Sequence, residues 1–205
     1  MKISKLAKPF INYNREVTEK KYICLHTTGG HGAMNTINYW ATRYDGKGTI
    51  STPYIIDRNG VIIQTYSPQY WSHHTGKGKA IDKQTIGIEL ENVGVCKIND
   101  NNELFNADKV KPIDYISWMD EDQIQHYHEK ITTNQWKSLL LLIDTLTAFY
   151  NIKQVMATDE DITLSENDYF GIFTHRQIND NKTDIPKEVF EDYSIMESFP
   201  YINKK

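Results

Sequence analysis

A chain of 205 residues with 39% hydrophobic and 24% charged side chains has the composition of a globular protein, which excludes a disordered or membrane-embedded one. Its formal net charge of −4 excludes a broad electrostatic grip on nucleic acid and leaves neutral or cationic polymers open as partners. No run approaches the ~20 apolar residues of a spanning helix, and residues 1–14 hold no apolar stretch of signal-peptide length. Synthesis in the cytoplasm without membrane insertion is therefore expected, with action elsewhere depending on release or delivery.

Cys24 and Cys96 are the only cysteines, too few for a disulfide framework. Cys24 lies in an apolar run and is expected as a buried free thiol. Most of the 13 tyrosines and four tryptophans are expected as half-buried packing residues; the alternative use is a groove that packs against sugars or peptides.

Residues 21–26 read as a short buried strand, ended by Gly29-Gly30-His31-Gly32. Asn35 is a plausible N-cap for a helix bearing Ile37, Trp40, Ala41 and Tyr44. Two β-rich runs, 52–57 and 61–66, flank Arg58-Asn59-Gly60, and Asn-Gly between such runs predicts a hairpin. Residues 85–92 alternate: Ile86, Ile88 and Leu90 face one way, Gly87, Glu89 and Glu91 the other, as in a strand with one packed and one polar face. Residues 95–131 are polar and rich in Asn and Asp and read as an irregular insertion, with a second at 154–170. From residue 133, Trp136, Leu139, Leu140, Ile143, Leu146 and Tyr150 recur at helical spacing, with Thr132 or Thr133 as cap. A short strand precedes His175, and Pro186 can open a last helix over 187–192. The expected fold is α/β: a single mixed β-sheet flanked by helices, in one domain over 1–205 with its core at about 20–192.

Two segments carry the chemistry, Tyr22-Ile-Cys-Leu-His-Thr-Thr-Gly29 and Phe173-Thr-His-Arg-Gln-Ile-Asn-Asp-Asn-Lys-Thr-Asp184. Each places a histidine directly after a short apolar run, and the second adds Lys182 and Asp184. Two imidazoles and one carboxylate make a three-ligand set with a fourth tetrahedral position open, the arrangement of a catalytic zinc ion.

Six ordered blocks carry a resemblance: Ile23-Cys-Leu-His26, Thr52-Pro-Tyr-Ile-Ile-Asp-Arg-Asn-Gly60, His74-Thr-Gly76, Ile86-Gly-Ile-Glu-Leu-Glu-Asn92, the helix at 133–150, and His175 through Asp184. Over about residues 20–192 the chain resembles the zinc-dependent N-acetylmuramoyl-L-alanine amidases of the type 2 class, a group that includes phage lysozyme-like amidases, muropeptide amidases and peptidoglycan recognition proteins. The resemblance implies hydrolysis of the amide between the lactyl group of N-acetylmuramic acid and the L-alanine of the stem peptide. It implies His26, His175 and Asp184 as zinc ligands and Lys182 as the cation beside the metal. Glu89 matches the general base, with Glu91 the rival on the same strand face, and Tyr54 matches a tyrosine near the metal. His74 is expected to bind substrate or support the site. The partner implied is bacterial peptidoglycan or its muropeptides, cut as an endolysin or delivered effector would cut the wall. The alternatives are a cytosolic amidase that recycles anhydro-muropeptides, or a binding module that does not cut. The chain departs from the family's pattern at Pro53, often a histidine, and at Asp184-Ile185-Pro186, often Asp-Pro-Gly, which bears on site shape. His126 and His128 lie outside every block and are expected as surface residues.

Overall fold

The computed structural model describes residues 3–6, 10–43, 49–158, 162–165, 168–179 and 181–191. In chain order the elements are β1 (Ile3–Lys5), β2 (Tyr22–Thr27), α1 (Ala33–Thr42), β3 (Tyr54–Ile56), β4 (Ile62–Gln64), α2 (Lys79–Gln84) and β5 (Thr85–Leu90). There follow β6 (Val95–Ile98), β7 (Leu104–Phe105), β8 (Tyr115–Met119), β9 (Gln125–Glu129), α3 (Thr133–Tyr150), β10 (Ile172–Thr174), α4 (His175–Ile178) and α5 (Lys187–Glu191). The main sheet runs β1-β4-β3-β5-β2-β10. Every neighbour pair in it is parallel except the β3–β4 hairpin, so the mixed α/β architecture is the expected one.

Helices cover both faces of this sheet, which is why its central strands read as nearly continuous apolar runs. On one face Ile23, Leu25, Tyr54, Ile56, Ile86, Ile88 and Leu90 pack against Trp136, Leu139, Leu142, Ile143 and Leu146 of α3. Each fully buried aliphatic side chain contributes roughly 1.5–3 kcal/mol. A capping box starts α3: Thr132 Oγ1 accepts from Gln135 N at 3.1 Å, and Gln135 Oε1 accepts from Thr132 N at 3.0 Å. Such a cap is worth about 1 kcal/mol. The first turn of α3 lies on the Asn59-Gly60 hairpin, where Gly60 has φ 82° and an added Cβ would sit 2.6 Å from Asn134 O. Only glycine meets both demands.

Three details differ from the sequence reading. Strand β5 is buried along its whole length; its polar face is covered and forms the floor of a site. Helix α1 starts at Ala33 with Gly32 as N-cap, and its cap comes from outside: the Glu91 carboxylate accepts from Gly32 N at 2.7 Å and Ala33 N at 3.1 Å. The stretch 95–131 is an ordered antiparallel sheet, β7-β6-β9-β8. Its many Asn and Asp residues make turns. Asn99 Oδ1 accepts from the backbone of Asn101 and Glu103, Asn106 Oδ1 from Asp108 and Val110, and Asp120 Oδ1 from Ile124, the way such side chains close tight loops.

In the described part of 154–170 the regular pairing is the bridge from Met156 to Ile172. Helix α5 covers Lys187–Glu191, and residue 192 of the expected helix lies outside the described residues. Both cysteines are buried and free. Among the described residues no helix is long and apolar enough to cross a membrane.

Candidate active site

Alternation along two parallel strands builds the site. In the β2–β5 register His26 pairs with Glu89, while Leu25 pairs with Ile88; paired residues share a face, so His26 and Glu89 stand side by side where their neighbours enter the core. Strand β10 flanks β2 on its other side and ends at Thr174, which places His175 beside His26. The site thus lies at the carboxyl ends of parallel strands, where α/β sheets commonly bind ligands.

His26 Nδ1 and His175 Nδ1 are 3.0 Å apart, and Asp184 Oδ2 lies 2.9 Å from His175 Nδ1. The other Asp184 oxygen accepts from Thr27 Oγ1 at 3.0 Å and Thr27 N at 3.3 Å. These three ligand atoms lie within 4.8 Å of one another. The outer nitrogens fix the tautomers. His175 Nε2 is 2.9 Å from Thr75 O, and a carbonyl can only accept. His74 Nε2 likewise faces Thr85 O at 3.4 Å, while His74 Nδ1 lies 3.0 Å from His26 Nε2. Burial, with the neighbouring imidazoles, holds His26 well below the usual histidine range, and burial brings His74 to about 4. These outer contacts place a proton on the Nε2 of each ring. The Nδ1 atoms of His26 and His175 then converge with the Asp184 carboxylate, and where no cation is held His175 Nδ1 donates to Asp184 Oδ2. That donor set is the one a divalent cation completes, with outer hydrogen bonds of the kind that orient ligating histidines.

Burial alone raises the Asp184 carboxyl, but the His175 and Thr27 contacts outweigh it and hold it below its usual value. Glu89 moves the other way. Burial first, then Asp184, push it well above the carboxylate range, and Lys182 opposes them. Among the described residues Glu89 Oε2 is buried with no hydrogen-bond partner. Lys182 is exposed, yet its charge also bears on His26.

Two expectations are resolved by position. Glu91, the rival to Glu89, is occupied at the start of α1. Tyr54 is not in the site: it pairs with Ile88 across β3–β5 and sits in the core against α3, on the opposite face from Glu89. His74 is brought to the site, where it supports His26 from behind. Of the two histidines expected on the surface, His126 is half-buried, stacked on Trp118 and paired with Asp120 at 2.7 Å. His128 is fully buried, its Nδ1 2.6 Å from Glu129 O.

A second group, Cys24, His26 and His74, also brings potential ligand atoms within 4.8 Å of one another. Burial and the nearby carboxylates push the Cys24 thiol well up, and a protonated thiol is a poor ligand, so the group with Asp184 is the better cation site. The sequence reading missed Thr27, Thr75 and Gly87. An added Cβ on Gly87 would lie 2.5 Å from Thr52 Cγ2 and 3.1 Å from His74 Nδ1; the glycine admits the His74 ring. The appended sheet is fastened beside the site. Asn106 Nδ2 donates to Gly29 O at 2.7 Å, and His31 Nε2 lies 2.7 Å from the buried Glu129 carboxylate, which also holds Arg58 at 3.1 Å.

The family model described as N-acetylmuramoyl-L-alanine amidase matches residues 15–188. The chain belongs to this family. Among solved structures, PlyL is similar at 16% identity, over 97% of this chain and 94% of that one, with a TM-score of 0.56. The catalytic domain of XlyA is 18% identical over 97% of both chains, TM-score 0.52. The endolysine N-acetylmuramoyl-L-alanine amidase LysCS from Clostridium intestinale URNW is 14% identical over 93% of this chain and 94% of that one, TM-score 0.52. These likenesses show a shared fold, and membership rests on the family match. No curated protein matches the chain.

Proposed function

We propose that this family member is a zinc amidase, one domain throughout, that cleaves the bond between the N-acetylmuramic acid lactyl group and L-alanine in bacterial peptidoglycan. The observation that carries the reading is the meeting of His26 Nδ1, His175 Nδ1 and Asp184 Oδ2 beside Glu89, whose buried Oε2 has no hydrogen-bond partner among the described residues. Zinc held by those three atoms supplies a Lewis acid for the scissile carbonyl and lowers the pKa of a water from ~15.7 toward ~7.

The chain's own residues do the rest. Thr27 fixes one Asp184 oxygen and leaves the other for the ligand set. Thr75 O and His74 Nδ1 hold the two imidazoles with their Nδ1 atoms inward. Glu89 takes the proton of the attacking water and passes it to the leaving amide nitrogen. Its burial makes it a strong enough base once ionised, and Lys182 together with a cation in the ligand set favours the ionised form. Lys182, exposed at the rim, offsets the negative charge that develops on the carbonyl oxygen. A binding module that does not cut needs neither an unpartnered buried acid nor a complete ligand set.

We read the activity as lytic, on polymeric wall after release or delivery, in line with the likeness to an endolysine amidase. Purified peptidoglycan digested by the zinc-loaded protein should yield free stem peptides with new L-alanine amino termini, seen by mass spectrometry. Cleavage of soluble anhydro-muropeptides with the polymer left intact would replace the lytic reading by a recycling one, and binding without any cleavage would overturn the enzyme.

A further inference from the structure

Both proposed histidine ligands are held from behind by one dipeptide. Thr75 O accepts from His175 Nε2 at 2.9 Å, and His74 Nδ1 accepts from His26 Nε2 at 3.0 Å. The ligands are 149 residues apart, so a shift of this short loop would disturb both at once. What holds the loop is the side chain of Asp82, which is 1% exposed although charged. Its Oδ1 accepts from Thr75 Oγ1 at 2.7 Å, Thr75 N at 2.9 Å and His74 N at 3.2 Å, and its Oδ2 lies 2.7 Å from His73 Nδ1.

The helix carrying Asp82 is itself pinned. Thr18 Oγ1 and the buried Lys20 Nζ both donate to Lys83 O, at 2.6 and 2.7 Å. Lys20 also places a positive charge near Asp82. Four contacts on one buried carboxylate exceed what α2, a helix of six residues, needs for its own capping. They fix a loop that presents Thr75 O to His175 and His74 Nδ1 to His26.

We infer that Asp82 is a positioning residue for the metal ligands: through the His74–Thr75 loop it sets the orientation and tautomer of His26 and His175 together. The inference rests on the zinc site proposed above. Asp82 touches neither substrate nor metal, and its effect is geometric. An asparagine keeps an Oδ1 to accept the three donors, while its Nδ2 can donate to His73; an alanine keeps none of these bonds.

The test is the zinc affinity of the full chain, measured by competition with a chromophoric chelator, together with the visible spectrum of the cobalt form. Asp82→Ala should weaken zinc binding by about 10–100-fold, the usual effect of losing an outer-shell partner, and change the cobalt spectrum. Asp82→Asn should bind zinc within a few-fold of wild type with an unchanged spectrum. Leu142→Ala, a destabilised core control, should bind zinc like wild type. Equal zinc affinity in Asp82→Ala and wild type would overturn the inference, as would equal losses in Asp82→Ala and Asp82→Asn or in Asp82→Ala and the core control. If Asp82→Ala does not fold, the pair His74→Phe and His74→Asn decides: loss of affinity in the first and its retention in the second support the loop's role, and equal affinities overturn it. A wild-type protein that binds no zinc contradicts the zinc site itself, which is a separate result.

Discussion

The two faces of the central sheet share the same strands and differ in everything else. On one, Leu25, Ile88 and Tyr54 meet α3 in a dry core; on the other, one residue along each of β2 and β5, His26 and Glu89 face each other with Asp184 and His175 above. The core face is mostly aliphatic and aromatic and gains from each buried methylene. The site face buries a carboxylate and three imidazoles, groups whose charged forms burial disfavours. Stability and chemistry are thus separated by a period of two residues, and substitutions one position apart should fail in different ways.

The largest effects should come from the site face. His26→Ala or Asp184→Ala removes a proposed ligand, and the several kcal/mol of charge stabilisation a metal would supply, at ~1.4 kcal/mol per tenfold, correspond to a loss of about 10³-fold or more in stem-peptide release. Glu89→Gln should lower that rate by about 10²–10⁴-fold and leave zinc affinity near wild type. A Glu89→Gln enzyme with undiminished turnover would return the general base to an open question.

Core-face changes should do the opposite. Leu142→Ala should cost roughly 2–5 kcal/mol in urea unfolding and leave zinc affinity intact. Acid should find a third weak point in the appended sheet. Burial holds His128 at about 4, against an ordinary 6.5. The unfolded chain therefore takes up a proton that the folded chain resists, so this contribution is fully present above about pH 6.5. It is lost as the pH falls through about 4, and amounts to on the order of 3 kcal/mol. Urea midpoints of metal-stripped protein across that window should fall less steeply for His128→Leu than for wild type; parallel slopes would contradict this. The smallest effect belongs to Tyr54→Phe, whose hydroxyl has, among the described residues, a long 3.5 Å contact with Gln64. Its turnover should match wild type within about twofold, and a large loss in turnover would put Tyr54 back in the site.

Much of the fold could be read from periodicity. β2, β5, the Asn59-Gly60 hairpin and α3 all have strong local signals, because burial imposes apolar spacing directly on the chain. The appended sheet escaped that reading. Its strands are half-exposed and two to five residues long, and their Asn-rich turns look like loops. For the site, the residues suggested a ligand set in His26, His175 and Asp184, and the resemblance added the roles of Lys182, Glu89, Tyr54 and His74. Nothing local ties His26 to a histidine 149 residues away; the β5-β2-β10 register does. Tyr54 shows the limit of that route: parity against Glu89, set by the β3–β5 register, decides which face it takes. Asp82 was missed because a lone aspartate in a short helix carries no signal until its four contacts are seen.

The most direct test is to strip the protein of metal and restore zinc in fractions of an equivalent while following stem-peptide release from purified peptidoglycan. The account predicts no release from stripped protein, a linear return, and saturation at one zinc per chain in wild type, with none in His26→Ala. Undiminished cleavage by the stripped protein, or full recovery in His26→Ala, would contradict it.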